Sequence, residues 1–297
     1  MRQFLLDQVP GPGGRITLDG SDYRYLVQVL RKKEGSSVEA RLPDGSLCAF
    51  LVDSVDYRSK TVRLVRRERG PDGALVAGVP GSVADSVDAD TCSGTAGVEV
   101  AEGRFAPGVS MPPLPAVPEG FPAIVLFQWL LKGPKMDQVI RQATETGVSV
   151  IVPVSGERCL PRETGRAERW SRIVREARQQ SGSPVPTSVA ESVPVSSIAG
   201  IWRNFSEGKR NAAFVLTEAP LARKTLHEYL VNGVGLVALA TGPEGGMSSS
   251  ELDDLSRAGF SCVHFRTNIL RAETAALSGI AAVQTAITES EKWQLKG

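Results

Sequence analysis

The sequence predicts two folded parts, a small and mainly β module followed by an α/β domain built on a parallel sheet. Two observations lead to this prediction. After residue 121, apolar β-prone segments alternate with amphipathic helical patterns, as expected for a parallel sheet that helices cover on both faces. Before residue 70, short β-prone segments follow one another with a turn signal between them. A length of 297 residues suits two domains.

The first part, residues 1–69, is predicted to be a small barrel-like module. Its β-prone segments are Val38–Leu42, Cys48–Val52 and Thr61–Val65. A hairpin turn is expected at Pro43–Gly45 and a helix at Tyr23–Arg31. Residues 70–120 are acidic and hold nine Gly and seven Pro, so they are predicted to form a flexible linker or insertion.

The second part, residues 121–297, carries the alternating pattern. Strands are predicted over Ala123–Leu131, Val150–Val154, Ala212–Glu218, Gly235–Thr241 and Cys262–Phe265. Helices are predicted over Lys135–Thr146, Glu163–Ser181, Leu221–Val231, Ser249–Ala258 and Arg271–Glu289. Ligands of such sheets bind at the carboxyl ends of the strands, which is where functional residues are sought.

Composition excludes several classes of protein. The apolar runs are too short to span a bilayer, and no apolar leader opens the chain, so we expect a cytoplasmic protein. Four scattered cysteines and two histidines predict neither a metal site nor a disulfide framework. Residues 1–70 and 121–182 each carry a net charge of +4. These basic blocks indicate a polyanionic partner, although a merely solvated basic surface gives the same pattern.

The most informative motif is Ala240-Thr-Gly-Pro-Glu-Gly-Gly-Met247, which links an apolar strand to a helix. Ser248 and Glu251 have the spacing of a capping box at the start of that helix. The glycines permit a tight turn and a close approach of the backbone to a ligand. The loop lacks the Gly-Lys-Ser/Thr ending of a triphosphate site, and Glu244 would repel phosphate. It suits a ligand with hydroxyls, an amine or a positive centre, and a plain strand-to-helix turn is the alternative.

Three further segments are rich in charged and polar residues of the kinds used in catalysis or in phosphate binding. Arg266–Leu277 leaves a strand and opens an Ala-rich helix with Arg271, Glu273 and Thr274 in or near its first turn. Lys132–Asp137 is a basic turn after the first strand of the second part. The helix predicted from Glu163 carries arginine at every third position, namely Arg166, Arg169, Arg172, Arg175 and Arg178. Arginine suits phosphate recognition, and a solvated face is the alternative.

Taken together, these motifs resemble the RsmE family of the SPOUT superfamily, which methylates N3 of one uridine in small-subunit (16S) ribosomal RNA. The matching segments are Lys132–Asp137, Ala143–Val148, Ser155–Cys159, Arg169–Trp170, Glu176–Gln180, Gly242–Gly246 and Ile269–Leu277. Arg2–Phe4 and Tyr25–Arg31 are similar to the family's amino-terminal PUA-like RNA-binding barrel. The sequence departs from the family pattern at Phe265–Asn268, where a Leu-Gly-x-Arg motif is usual.

The resemblance implies a SPOUT α/β domain with a carboxyl-terminal trefoil knot, preceded by a PUA-like β-barrel, and a homodimer. It implies that S-adenosylmethionine binds in the knot without a metal. The implied cofactor-binding residues are Leu216, Thr217, Glu218, Thr241, Gly242, Pro243, Glu244, Gly245, Gly246, Ile269, Leu270 and Arg271. The implied RNA-binding residues are Arg2, Arg31, Lys32, Lys33, Lys132, Lys135, Arg158, Arg169, Arg172 and Arg175.

The chemistry of methyl transfer to uracil needs loss of the N3 proton and stabilisation of the resulting charge. Arg271 is expected to stabilise negative charge on the uracil carbonyls. Either Glu244 or Glu273 is expected to accept the proton, and a capping or loop-holding role is the alternative for both. The implied substrate is an assembled or nearly assembled 30S subunit. Two other hypotheses stay open, a SPOUT methyltransferase with another RNA target and a catalytically silent RNA-binding homologue.

Overall fold

A computed structural model describes residues 4–69, 75–77, 111–118, 121–159, 167–218, 222, 224–230, 233–265 and 268–292. The chain divides into two compact units, Gln3–Ala101 and Glu102–Gly297. The finer division into 1–69, 70–120 and 121–297 stays a prediction. The structure describes two pieces of the predicted linker. Leu75–Ala77 pairs with a strand of the first unit, and Met111, Leu114 and Val117 pack on the core of the second.

The described part of the amino-terminal unit is a β-sheet with two short helical segments, the first a 3-10 turn at Pro12–Gly14. Its strands are β1 (Phe4–Leu5), β2 (Arg15–Leu18), β3 (Ser37–Arg41), β4 (Leu47–Asp56), β5 (Thr61–Arg69) and β6 (Leu75–Ala77). The sheet order is β1-β3-β4-β5-β2, with β6 on β5, and all pairs except β1–β3 are antiparallel. The predicted helix is observed as α1 (Gly20–Tyr23) followed by a π-helical turn, Arg24–Val29. Leu26 of this turn is buried against Phe4, Phe50 and Leu64 of the sheet.

The carboxyl-terminal unit is built on a seven-stranded sheet in which every strand pair is parallel. Its strands are β7 (Ala123–Trp129), β8 (Val150–Ser155), β9 (Ser188–Val189), β10 (Val193–Pro194), β11 (Asn211–Leu216), β12 (Leu236–Thr241) and β13 (Ser261–Val263). Their order is β10-β8-β7-β12-β11-β13, and β9 pairs with β8. Every residue of β7 and β12 is buried, because helices cover both faces of these central strands.

The helices of this unit enclose two apolar cores, one on each face of the sheet. They are α2 (Lys135–Glu145), α3 (Ala167–Ser181), α4 (Ile198–Ser206), α5 (Leu226–Tyr229), α6 (Ser249–Arg257) and α7 (Ala272–Lys292). Ile124 and Leu126 of β7 face the core that includes α2, α3 and α7. Val125 and Phe127 face the core that includes α4 and α6. The predicted parallel α/β architecture is therefore confirmed.

Some elements differ from their predicted bounds. The sequence pattern did not predict α4, β9 or β10. The helix expected over Leu221–Val231 is a single turn, Leu226–Tyr229, among the residues described there. Its start has a physical basis, since Thr225 and Glu228 form a capping box that fixes the first turn. Across the described ranges, no helix is both long and apolar enough to cross a membrane.

Candidate functional site

The candidate site is a cleft of about 730 Å³ at the carboxyl ends of β11, β12 and β13. It is formed by three segments, Leu216–Glu218 after β11, Thr241–Met247 after β12, and Asn268–Ala272 at the start of α7. All twelve residues that the resemblance implied for cofactor binding line this one cleft. Phe265 and Asn268, where the sequence departs from the family pattern, also line it. The parallel sheet brings these segments together because its strands end at the same edge.

A buried polar pair fixes the end of β12, where the glycine-containing loop begins. Thr241 lies opposite Gln128 of β7, and both side chains are buried. The Thr241 hydroxyl donates to Gln128 Oε1 at 2.6 Å, and Gln128 Nε2 donates to the Trp129 carbonyl at 2.9 Å. These bonds satisfy the polar groups in an otherwise apolar sheet, which is the condition for burying them. They hold Thr241 at the floor of the cleft.

The other end of the loop is fixed by Glu251, the acid of the capping box. Ser248 and Glu251 form this capping box as predicted. The buried Glu251 carboxylate also accepts from Trp129 Nε1 and from the Glu157 backbone amide, both at 3.0 Å. Gly156 makes this arrangement possible, since a Cβ at that position would lie 2.2 Å from Glu251 Oε1 and from Trp129 Nε1. Loop 242–248 is thus joined to the ends of β7 and β8.

A lysine lies between the two acids that were predicted as proton acceptors. Lys135 Nζ is 3.0 Å from Glu244 Oε1 and 4.0 Å from Glu273 Oε2. Partial burial raises the pKa of Glu244, but hydrogen bonds from its own amide, the Lys135 ammonium and the Lys132 amide outweigh this, so its pKa lies below the ordinary value. Glu244 lines the cleft. Glu273 is buried at the start of α7, and its Oε2 has no hydrogen-bond partner among the described residues.

The remaining wall of the cleft combines apolar and basic side chains. Arg271 is exposed and lines the cleft beside Ile269, whose side chain is 81% exposed. Leu216 lies against helix α7 at Gly279, where a Cβ would lie 2.7 Å from Leu216 Cδ1. The ring of His264 meets the Thr217 carbonyl at 3.1 Å through Nδ1. The lining therefore combines apolar side chains such as Leu216 and Ile269 with the charged Glu244, Lys135 and Arg271.

The residues predicted to bind RNA have different surroundings. Arg31, Lys33, Lys132 and Arg172 are exposed. Arg169 is ion-paired with Asp137, and Lys32 donates to the Ser37 carbonyl at 2.8 Å. Arg175 is partly buried, Lys135 lies in the cleft, and Arg158 donates to the Gly245 carbonyl. Arg2 lies outside the described residues.

Several residues that shape the site were not predicted from the sequence. Gln128, Trp129 and Gly156 come from β7 and from the turn after β8, far from the glycine-containing loop in the chain. Only the capping-box spacing of Ser248 and Glu251 gave a local signal, and it did not reveal the contact with Trp129. No group of three or more metal-ligating side chains occurs in the part of the chain that the structure describes.

Comparisons with known proteins identify relatives. A family model described as an RNA methyltransferase domain matches residues 119–284, more than half of the chain. Ribosomal RNA small subunit methyltransferase E of Aquifex aeolicus is 34% identical over 152 residues, which are 48% of this chain and 59% of that protein. The Synechocystis protein of the same name is 33% identical over 168 residues, covering 54% of this chain and 52% of its own. The matched region thus spans little more than half the length of these curated relatives.

Solved structures share the fold. The crystal structure of ribosomal RNA small subunit methyltransferase E from Neisseria gonorrhoeae, bound to S-adenosylmethionine, superposes with a TM-score of 0.68 at 22% identity and covers 96% of this chain and 97% of that one. A methyltransferase from Legionella pneumophila, also with bound S-adenosylmethionine, gives 0.65 at 22% identity, covering 96% and 98%. The resemblance drawn from the sequence motifs is therefore confirmed, and the chain belongs to the family of proteins that carry this RNA methyltransferase domain.

Proposed function

We propose that this protein transfers a methyl group from S-adenosylmethionine to N3 of a uridine in small-subunit ribosomal RNA. The observation that carries the proposal is the single cleft lined by Leu216–Glu218, Thr241–Gly246 and Ile269–Arg271. Relatives named as small-subunit ribosomal RNA methyltransferases, and structural neighbours that hold S-adenosylmethionine, support the same assignment.

The residues of the cleft fit this cofactor. A volume of about 730 Å³ lies within the range typical of small-molecule sites. Leu216, Val263 and Leu270 offer apolar surface for an adenine ring, and the backbone groups of Gly242–Gly246 offer hydrogen-bond donors and acceptors. Glu218 and Glu244 carry the negative charge that suits an amine and a sulfonium. When bound, S-adenosylmethionine supplies a methyl group that its sulfonium centre activates.

The chain's own residues would position the uracil and manage its proton. Glu244 lines the cleft, whereas Glu273 is buried at the start of α7 and is not among the lining residues, so Glu244 is the better placed proton acceptor. Its lowered pKa keeps it ionised at neutral pH but also makes it a weak base. A cation that stabilises the deprotonated uracil compensates for this weakness, and the exposed Arg271 is in place to do so.

The proposal extends to the partners and to the rest of the fold. Arg31 and Lys33 of the first unit and Arg172 of the second are exposed cations suited to RNA phosphates, so binding should weaken steeply with salt. The target base has to leave its stack to reach the cleft. We further propose a cytoplasmic homodimer with a trefoil knot and a PUA-like barrel, acting on an assembled or nearly assembled 30S subunit.

A methyl-transfer assay tests the proposal. Purified protein and labelled S-adenosylmethionine are incubated with small subunits from cells that lack the corresponding enzyme, and the nucleosides are then separated. We expect label in 3-methyluridine, with kcat lowered about 100-fold or more in Arg271→Ala. Label in another nucleoside would contradict uridine N3 as the target atom but would still support methyl transfer to RNA. Absence of label, beside an active control enzyme, would favour a silent RNA-binding protein.

A further inference from the structure

Arg158, one of the predicted RNA-binding residues, is exposed and lines the cleft beside the glycine-containing loop. It lies in the turn after β8, and its Nη1 donates to the Gly245 carbonyl at 2.7 Å and reaches the Met247 carbonyl at 3.5 Å. These two acceptors lie 87 and 89 residues further along the chain, so the contact ties two distant segments together. A guanidinium that binds carbonyl oxygens in this way has fewer donors left for a phosphate.

The glycine-containing loop is shaped to receive this side chain. A Cβ at Gly245 would lie 3.6 Å from Arg158 Cδ, and a Cβ at Gly246 would lie 3.8 Å from Arg158 Nη1. The arginine therefore lies along the loop, and Gly246 adopts a φ of +70°, which side chains disfavour. Both glycines also line the cleft, so any change in their orientation changes the cleft itself.

The residue next to Arg158 strengthens the same connection. The Glu157 amide donates to Glu251 Oε1 at 3.0 Å, and the Glu157 carboxylate accepts from the Ser250 hydroxyl at 2.8 Å. Residues 157 and 158 thus contact both the middle of the loop and the helix that follows it. With Glu251 holding the helical end and Arg158 holding the carbonyls of the loop, the loop is fixed at two independent points.

We infer that Arg158 is a positioning residue for the cofactor loop rather than a contact to RNA. Its guanidinium fixes the Gly245 carbonyl, which orients the neighbouring backbone groups toward the cleft. This inference rests on the proposed function, because it assigns the loop to S-adenosylmethionine. The inference predicts that Arg158 increases the affinity for the cofactor. It also predicts that this residue makes no contribution to the salt dependence of RNA binding.

Two titrations separate these roles. The first measures the Kd for S-adenosylmethionine by calorimetry with the full-length protein, Arg158→Ala, Arg158→Lys and the control Arg257→Ala. Arg257 is exposed like Arg158, but it is ion-paired with Asp254 and does not line the cleft. The second measures the affinity for ribosomal RNA against salt concentration. A lost phosphate contact would reduce the slope of that plot by about one unit.

We expect Arg158→Ala to weaken cofactor binding about tenfold, the effect of losing one charged hydrogen bond. Arg158→Lys should recover part of this loss, Arg257→Ala should have no effect, and the salt slope of Arg158→Ala should equal that of the wild type. A wild-type Kd for Arg158→Ala together with a reduced salt slope would overturn the inference. If the wild type itself binds no cofactor, the proposed function fails first, and the inference fails with it.

Discussion

Replacing Gly156 with alanine tests how the cleft is built. Gly156→Ala places a Cβ 2.2 Å from both Glu251 Oε1 and Trp129 Nε1, which no real structure tolerates. Either the turn shifts or the Trp129–Glu251 hydrogen bond breaks. Overpacking costs about 1–3 kcal/mol, and losing a buried hydrogen bond to a charged group costs about 1.5–3 kcal/mol. Whichever of the two happens, the free energy of unfolding of the carboxyl-terminal unit should fall by about 1–3 kcal/mol.

Thermal and denaturant unfolding measure this change. At roughly 2–4 °C per kcal/mol for a unit of this size, the Tm should fall by about 2–12 °C. Gly200→Ala is the matched control, because Gly200 lies within helix α4 and a Cβ there meets nothing within 4 Å. That substitution should stabilise the unit by about 0.5–1 kcal/mol. If Gly156→Ala left the Tm unchanged or raised it, as the control should, the described packing around Glu251 would be wrong.

Three further substitutions test other parts of the site. Gly279→Ala places a Cβ 2.7 Å from Leu216 Cδ1 and so displaces this cleft residue. Calorimetry should show cofactor binding weakened several-fold. An unchanged Kd would contradict the packing of helix α7 against Leu216. Thr241→Val removes the donor to Gln128 Oε1 and should lower the free energy of unfolding by about 1–3 kcal/mol, whereas a neutral effect would mean that Gln128 finds another partner. Because the folded-state pKa of Glu244 lies below its ordinary value of 4.5, its ion pair stabilises the protein above that pH and the contribution is lost as the pH falls through the folded-state pKa. Glu244→Gln should then differ most from the wild type near neutral pH and least in acid, as followed by urea unfolding at a series of pH values.

The sequence was informative where local pattern alone determines structure. The apolar runs that became β7 and β12 could be identified because strands buried on both faces are apolar throughout. The start of helix α6 could be predicted because a capping box has a fixed spacing of residues. Helix α4 was missed. It has only nine residues and follows directly on a short strand and a 3-10 turn, so its periodic pattern is too short to predict a helix.

The candidate site was predictable only in part, because its geometry depends on contacts between distant segments. The twelve cleft residues came from resemblance to a family, and the parallel sheet then explains why they converge. No pattern in the sequence pairs Arg158 with Gly245 or Gly156 with Glu251, since these contacts form only after β7, β8 and β12 align. Local pattern also did not show that Arg169 is ion-paired with Asp137, and its contact with RNA stays a prediction.

The most direct test of the account is a crystal structure of the protein grown with S-adenosylmethionine. The account predicts electron density for the cofactor between Thr241–Gly246 and Ile269–Arg271, with Leu216 beside it and Arg158 still bonded to the Gly245 carbonyl. Density at another site, or none at a saturating concentration of cofactor, would contradict the assignment of this cleft.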